Sequence, residues 1–260
     1  LLERSEKMKV LFIGDIYGKP GLDILAEKMP ELKETYKPHI IIANAENAHH
    51  GRGINLKIYK ELMSLGVHMI TMGNWVWGHK ELFEFIDDAN IVRPFNFREA
   101  PGRGYITLNF NGQKLLIINA LGRTFMNPQV GCPFVGIDQI LKDNPSDYQI
   151  VDIHAEATSE KVALGHYLDG RVSAVVGTHT HIPTADERML PGGTLYITDV
   201  GMTGPKEGVI GVSKEIVLNR FLNGFSTPNE VAAGPKQLSA VIMDFRLKTI
   251  QRIHLESETV

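Results

Sequence analysis

The chain has 260 residues, of which 43% are hydrophobic, and a formal net charge of −3. That length suits one large domain or two small ones with a substantial core, and near-neutrality excludes a global field that recruits nucleic acid or membrane. Cys132 is the single cysteine, which excludes an internal disulfide framework and fits a reducing, cytoplasmic compartment. No apolar stretch approaches the ~20 residues of a membrane span. The opening LLERSEK is charged and short, unlike a signal peptide. The natural chain is expected to begin at Met8, with residues 1–7 a non-native or disordered extension and 8–260 a single domain.

In chain order, KVLFIGD (9–15) and HIIIANAEN (39–47) are apolar, β-branched runs that predict buried strands. The helical pattern GLDILAEKMPELKETY lies between them, and NLKIYKELMSLG precedes a third strand, HMITMGN (68–74). YITLNFNGQKLLIINAL (105–121) predicts a hairpin turning at Asn111-Gly112. QIVDIH (149–154) and SAVVGTHTH (173–181) predict two more buried strands. Residues 201–208 and 223–235 read as loops, and 237–256 as a second antiparallel pair. Strands alternating with helices imply βαβ units, so the expected architecture is α/β with mixed sheets.

Each of the five buried runs ends in a residue that can ligate a metal: Asp15, then Glu46-Asn47, Asn74, His154, and His179 with His181. Ligands of α/β sheets bind outside the carboxyl ends of the strands, so residues scattered along the chain can meet there. His179 and His181 are two apart and would share one side of an extended strand. Seven ligands are too many for one tetrahedral ion and fit two ions sharing a carboxylate. Imidazole and oxygen donors without thiolate suit Fe or Mn, with Zn also compatible. Two divalent ions with two carboxylates leave net positive charge, which attracts an anionic substrate. Paired ions suit in-line phosphoryl displacement.

The motifs FIGDIYGKPG, AEN, TMGN, HAEATSEK, GTHTHIPTAD and ITDVGMTGP resemble the calcineurin-like metallophosphoesterase superfamily, within it the bacterial YmdB-like branch of 2′,3′-cyclic-nucleotide 2′-phosphodiesterases. The resemblance covers nearly all of Met8–Glu256. It implies a four-layer sandwich of two packed mixed sheets flanked by helices, with two divalent or mixed-valence ions at strand ends. It implies that Asp15, Glu46, Asn47 and His181 hold one ion, and that Glu46 bridges to a second held by Asn74, His154 and His179. Tyr17, where most of the superfamily has His, and the pair Glu46-Asn47 both match the branch.

One departure is from the branch itself. In TMGNWVWG (71–78) the family's catalytic His position is Trp75, and Gly78 replaces a common Asp. An indole N–H donates a hydrogen bond but delivers no proton at neutral pH.

Other residues divide between bland and functional readings. His50 and Arg52, in ENAHHGRG, are candidates to face the substrate phosphate, against a solvated loop that also holds His49. His79 reads as a surface residue at a helix start, with a displaced acid as the alternative. His39, His68, His166 and His254 read as structural. Arg123 reads as a surface residue, with a phosphate contact as the alternative, and Phe95, Phe97, Phe125 and Phe134 read as core, with a nucleobase-stacking ring as the alternative.

The expected function is a dinuclear phosphodiesterase in which metal-bound hydroxide opens a 2′,3′-cyclic nucleotide or related phosphoester, weakened by Trp75. A broader phosphomonoesterase is the runner-up. The alternative class is a metal-retaining, catalytically degenerate regulatory protein that binds nucleotide or an RNA 3′ end. A membrane partner is not expected, and a homo-oligomer is left open.

Overall fold

The computed structural model describes residues 8–225 and 227–257. The expectation for residues 1–7 falls outside them. The first five strands are β1 (Lys9–Ile13), β2 (Asp15–Ile16), β3 (Ile40–Asn44), β4 (Met69–Thr71) and β5 (Ile91–Val92). They form one sheet with the last three, β12 (Met202–Pro205), β13 (Lys236–Asp244) and β14 (Thr249–Glu256). The six between, β6 (Tyr105–Phe110), β7 (Gln113–Leu121), β8 (Tyr148–His154), β9 (Ala174–Thr178), β10 (Arg188–Met189) and β11 (Leu195–Ile197), form the second sheet. Both sheets are mixed: β1, β3, β4 and β5 run parallel while β1 meets β13 antiparallel, and β7, β8, β9 and β11 run parallel between antiparallel β6 and β10.

The strand period of two sorts the core. Val10 and Phe12 face the second sheet and join Ile117, Ile150 and Val176 in the layer between the sheets. Leu11 and Ile13 face the other way and meet Leu22, Leu25 and Met29 of α1 (Gly18–Tyr36) and Leu62 of α2 (Leu56–Ser64). On the far side, Ile118, Val151 and Val175 pack against Ile137 and Ile140 of α3 (Pro133–Asp143) and Leu164 of α4 (Thr158–Tyr167). The result is helix, sheet, sheet, helix, as expected. A fifth helix, α5 (Lys214–Asn223), follows β12.

The hairpin turns where expected, with Asn111 and Gly112 both at positive φ, 50° and 83°, as a two-residue turn between twisted strands requires. The loop expectation for 201–208 is corrected: Met202–Pro205 pairs with β2 and β13. Met-Thr-Gly-Pro lacks an apolar period, and burial between two neighbours makes it a strand. His39 Nδ1 accepts from Lys9 N and His68 Nδ1 from Ile41 N, so both histidines close backbone groups at strand starts. Phe95, Phe97 and Phe134 pack against the core. Phe125 does not: it is 86% exposed at φ 61°, in a loop that leaves its ring without a face to cover. Arg123 is exposed, and its backbone N–H donates to Glu160.

Candidate metal centre

Both sheets direct strand ends to one edge. Gly14 breaks the first run, so Asp15 is fully buried at the start of β2, which pairs with β12. Gly14 has no room for a side chain, since a Cβ there would lie 1.9 Å from the Gly201 carbonyl oxygen. Glu46 and Asn47 follow β3, Asn74 follows β4, His154 ends β8, and His179 and His181 follow β9.

Four of these side chains meet at one point. His154 Nε2 lies 2.9 Å from Glu46 Oε1, 3.1 Å from Asn74 Oδ1 and 3.0 Å from His179 Nδ1. A ring nitrogen carries at most one proton, so it can satisfy one of those three neighbours. A cation at that point can bind all four donor atoms. Glu46, His154 and His179 thus form a potential metal-binding triad. The outer atoms of the imidazoles are fixed. The Thr178 hydroxyl donates to Asp152 at 2.8 Å, so it accepts from His154 Nδ1 at 2.9 Å. His179 Nε2 lies 3.1 Å from Glu156 Oε2. Such outer partners orient metal-binding imidazoles.

The second group lies beside the first. His181 Nδ1 donates to the Ile210 carbonyl at 2.9 Å, and its Nε2 faces Asn47 Oδ1 at 3.1 Å. The Asn47 amide is oriented by donating to the Gly51 carbonyl. Asp15 Oδ2 accepts from His179 N at 3.2 Å, while Asp15 Oδ1 is buried with no hydrogen-bond partner. A buried carboxylate oxygen with no donor demands positive charge. Gly73 provides the space, since a Cβ there would lie 2.3 Å from both Glu46 Oε2 and His154 Nε2.

The protonation equilibria carry the same demand. Burial raises the Asp15 carboxyl above its ordinary range and pushes Asp152 up to about 7. Burial opposes charge on His154, yet the negative Glu46, Asp15 and Asp152 outweigh it and raise it to about 9. Burial, then the positive charge of His154, lowers His179 to about 2. A proton on His154 therefore supplies positive charge when no cation does. The residues present fit divalent metal.

These groups open onto a cleft of ≈ 260 Å³ lined by Glu46, Asn47, His179 and His181 together with Tyr17, His50, Arg52, Trp75, Glu156, Ile210 and Val212. His50 adopts φ 49° at its wall. Trp75 is 37% exposed, donates its backbone N–H to Glu46 Oε2 at 2.9 Å, and carries the Arg52 guanidinium over its ring. His79 does not line the cleft; it packs against His49 with ring centroids 4.3 Å apart. Glu156, Asp152 and Lys161 also support the site and are not among the residues expected from the sequence. Glu156 and Lys161 both lie in HAEATSEK, two and seven residues after His154, and that motif is the signal that could have found them.

The chain matches the model of the YmdB-like protein family over residues 11–257. It belongs to the YmdB-like family. It is 49% identical over 253 residues to the Bacillus subtilis 2′,3′-cyclic-nucleotide 2′-phosphodiesterase, an alignment covering 96% of each chain. A Mycoplasma pneumoniae crystal structure described as a novel phosphatase superposes with TM-score 0.92 at 37% identity, covering 98% of this chain and 95% of that one. A Thermus thermophilus structure of a hypothetical protein gives TM-score 0.92 at 42% identity, covering 96% of this chain and all of the other. The fold is that of the Mycoplasma phosphatase and, at 12% identity and TM-score 0.61, of a Staphylococcus aureus putative 5′-nucleotidase, and Glu46, His154 and His179 are this chain's potential metal-binding triad. No helix among the described residues is long and apolar enough to cross a membrane.

Proposed function

We propose that this YmdB-like chain is a metal-dependent phosphodiesterase that opens 2′,3′-cyclic nucleotides or related phosphoesters. The observation that carries the proposal is the convergence of His154 Nε2, His179 Nδ1, Glu46 Oε1 and Asn74 Oδ1 on one point, beside a second group around His181 and Asn47. In this reading Glu46, Asn74, His154 and His179 hold one ion, and Asp15, Glu46, Asn47 and His181 the other. Oxygen and imidazole donors favour Fe or Mn, with Zn compatible. When bound, the ions supply nucleophile activation and charge stabilisation for in-line displacement at phosphorus.

The chain's own residues position the substrate. Arg52, stacked on Trp75 at the cleft wall, presents fixed positive charge to a phosphodiester. His50 faces the same space. Trp75 occupies the position of the family's catalytic His, so this chain offers no imidazole there to protonate a leaving alkoxide. That substitution favours slow turnover of poor leaving groups, and it is also what supports the second reading, a metal-retaining regulatory protein that binds a nucleotide or RNA 3′ end. The single Cys132 is free, consistent with a reducing, cytoplasmic setting.

Hydrolysis of bis(p-nitrophenyl) phosphate and of 2′,3′-cyclic AMP, with and without Mn²⁺, tests the proposal. Metal-dependent turnover of both supports the enzyme. Tight nucleotide binding without turnover of either supports the regulatory reading.

A further inference from the structure

Lys161, on α4, has a fully buried side chain. Its ammonium donates to Asp199 Oδ2 at 2.6 Å and to the Thr178 carbonyl at 2.9 Å. Asp199 Oδ2 also accepts from Thr180 N at 3.1 Å and from Thr180 Oγ1 at 2.7 Å. The other Asp199 oxygen accepts from Gly201 N at 2.9 Å. One buried ion pair thus grips the chain on both sides of His179.

The backbone it grips is unusual. His179 has φ 104° and His181 has φ 68°. Bulky residues rarely adopt such values, and they persist where the surroundings over-determine them. Gly177 is needed first by the neighbouring strand, since a Cβ there would lie 1.8 Å from the Thr198 carbonyl oxygen, and it also leaves room for Lys161, whose Cδ would lie 2.9 Å away. A buried ion pair is a weak source of net stability, because desolvation offsets the attraction. What the pair does distinctively is fix the chain on either side of His179.

We propose that Lys161 and Asp199 are positioning residues that clamp the turn Thr178–Thr180 and hold His179 and His181 toward the metal centre. The proposal rests on the reading of that centre as a metal site. The clamp acts through the backbone. Thr178 presents its carbonyl to Lys161 while its hydroxyl holds His154, so the same turn also orients the third imidazole.

Asp199→Asn and Thr180→Val test the clamp. The first removes the charge that binds Lys161, and the second removes one hydrogen bond and leaves the ion pair intact. Chelator-stripped protein is titrated with Mn²⁺ by calorimetry, circular dichroism reports folding, and bis(p-nitrophenyl) phosphate kinetics are read at saturating Mn²⁺. The expected result for folded Asp199→Asn is Mn²⁺ affinity ~10–100-fold weaker, the usual range for partners of metal ligands. Its kcat should fall with little change in KM, and Thr180→Val should shift the same way by less. Should Asp199→Asn fail to fold, Thr180→Val decides. A lower unfolding midpoint with wild-type Mn²⁺ affinity and kcat overturns the clamp alone. Wild-type protein that binds no Mn²⁺ overturns the metal reading and the clamp with it.

Discussion

The Arg52 guanidinium carbon lies 4.3 Å from the centre of the Trp75 ring. The two residues are 23 positions apart in the chain, one in the loop after β3 and the other after β4. Their stacking places a cation on the wall of the cleft that holds the candidate metal ligands. The indole thereby spends one face on orienting a charge. A cation–π contact at a partly exposed ring contributes about 0.5–1 kcal/mol.

Arg52→Ala is expected to raise KM for a phosphodiester and leave metal content unchanged, because Arg52 touches substrate space and no ligand. Arg52→Lys should recover part of the loss, since a lysine keeps charge but lacks the planar fork. Steady-state kinetics with bis(p-nitrophenyl) phosphate check this. An unchanged KM in Arg52→Ala would remove Arg52 from the substrate site.

Two ions per chain are expected, read by elemental analysis and anomalous scattering on protein prepared without chelator. Glu46→Ala and His179→Ala should each lose metal and abolish phosphodiesterase activity while the circular dichroism spectrum stays that of the wild type. Both residues lie past strand ends, outside the apolar layers. A stoichiometry near one with Glu46 away from the metal would overturn the dinuclear arrangement.

Gly73→Ala separates space from chemistry. The new Cβ would lie 2.3 Å from Glu46 Oε2 and His154 Nε2. Those atoms are tips of side chains, so the fold can give way, but they can move only by leaving the point on which the donors converge. The expected outcome is folded protein with metal content and activity both sharply reduced. Wild-type metal content in this variant would show that the donors sit elsewhere when loaded.

Much of the architecture was legible because continuous β-branched runs have few alternatives to a buried strand. The five runs and the Asn111-Gly112 turn carry their own local signals. Met202–Pro205 was not legible, since Met-Thr-Gly-Pro has no apolar alternation and becomes a strand only through pairing with β2 and β13. The candidate ligands were legible as a pattern at strand ends. Their supports were not. Asp152 is invisible in a run read as apolar, yet it reaches His154 both by its charge and through the Thr178 hydroxyl. Lys161 ends HAEATSEK and Asp199 lies in ITDVGMTGP, but the two are 38 residues apart and no spacing rule pairs them. The stacking of Arg52 on Trp75 depends on two loops that only the folded chain brings together.

Trp75 also sets the last prediction. A positioned general acid contributes ~10²–10⁴-fold, or roughly 3–5.5 kcal/mol of barrier at ~1.4 kcal/mol per decade. Nucleophile activation and charge stabilisation would remain without it, so activity should be reduced rather than lost. The deficit should be small for p-nitrophenolate, which leaves without a proton, and large for a ribose hydroxyl. Trp75→His should therefore raise turnover of 2′,3′-cyclic AMP far more than that of p-nitrophenyl esters. The backbone bond from residue 75 to Glu46 Oε2 does not depend on the side chain, so the metal centre should tolerate the change. The smaller imidazole also loosens the Arg52 stack and widens the cleft. An equal gain on both substrates would thus point to space and defeat the acid argument. No gain on either, with metal retained, would favour a solvent proton donor or the regulatory reading.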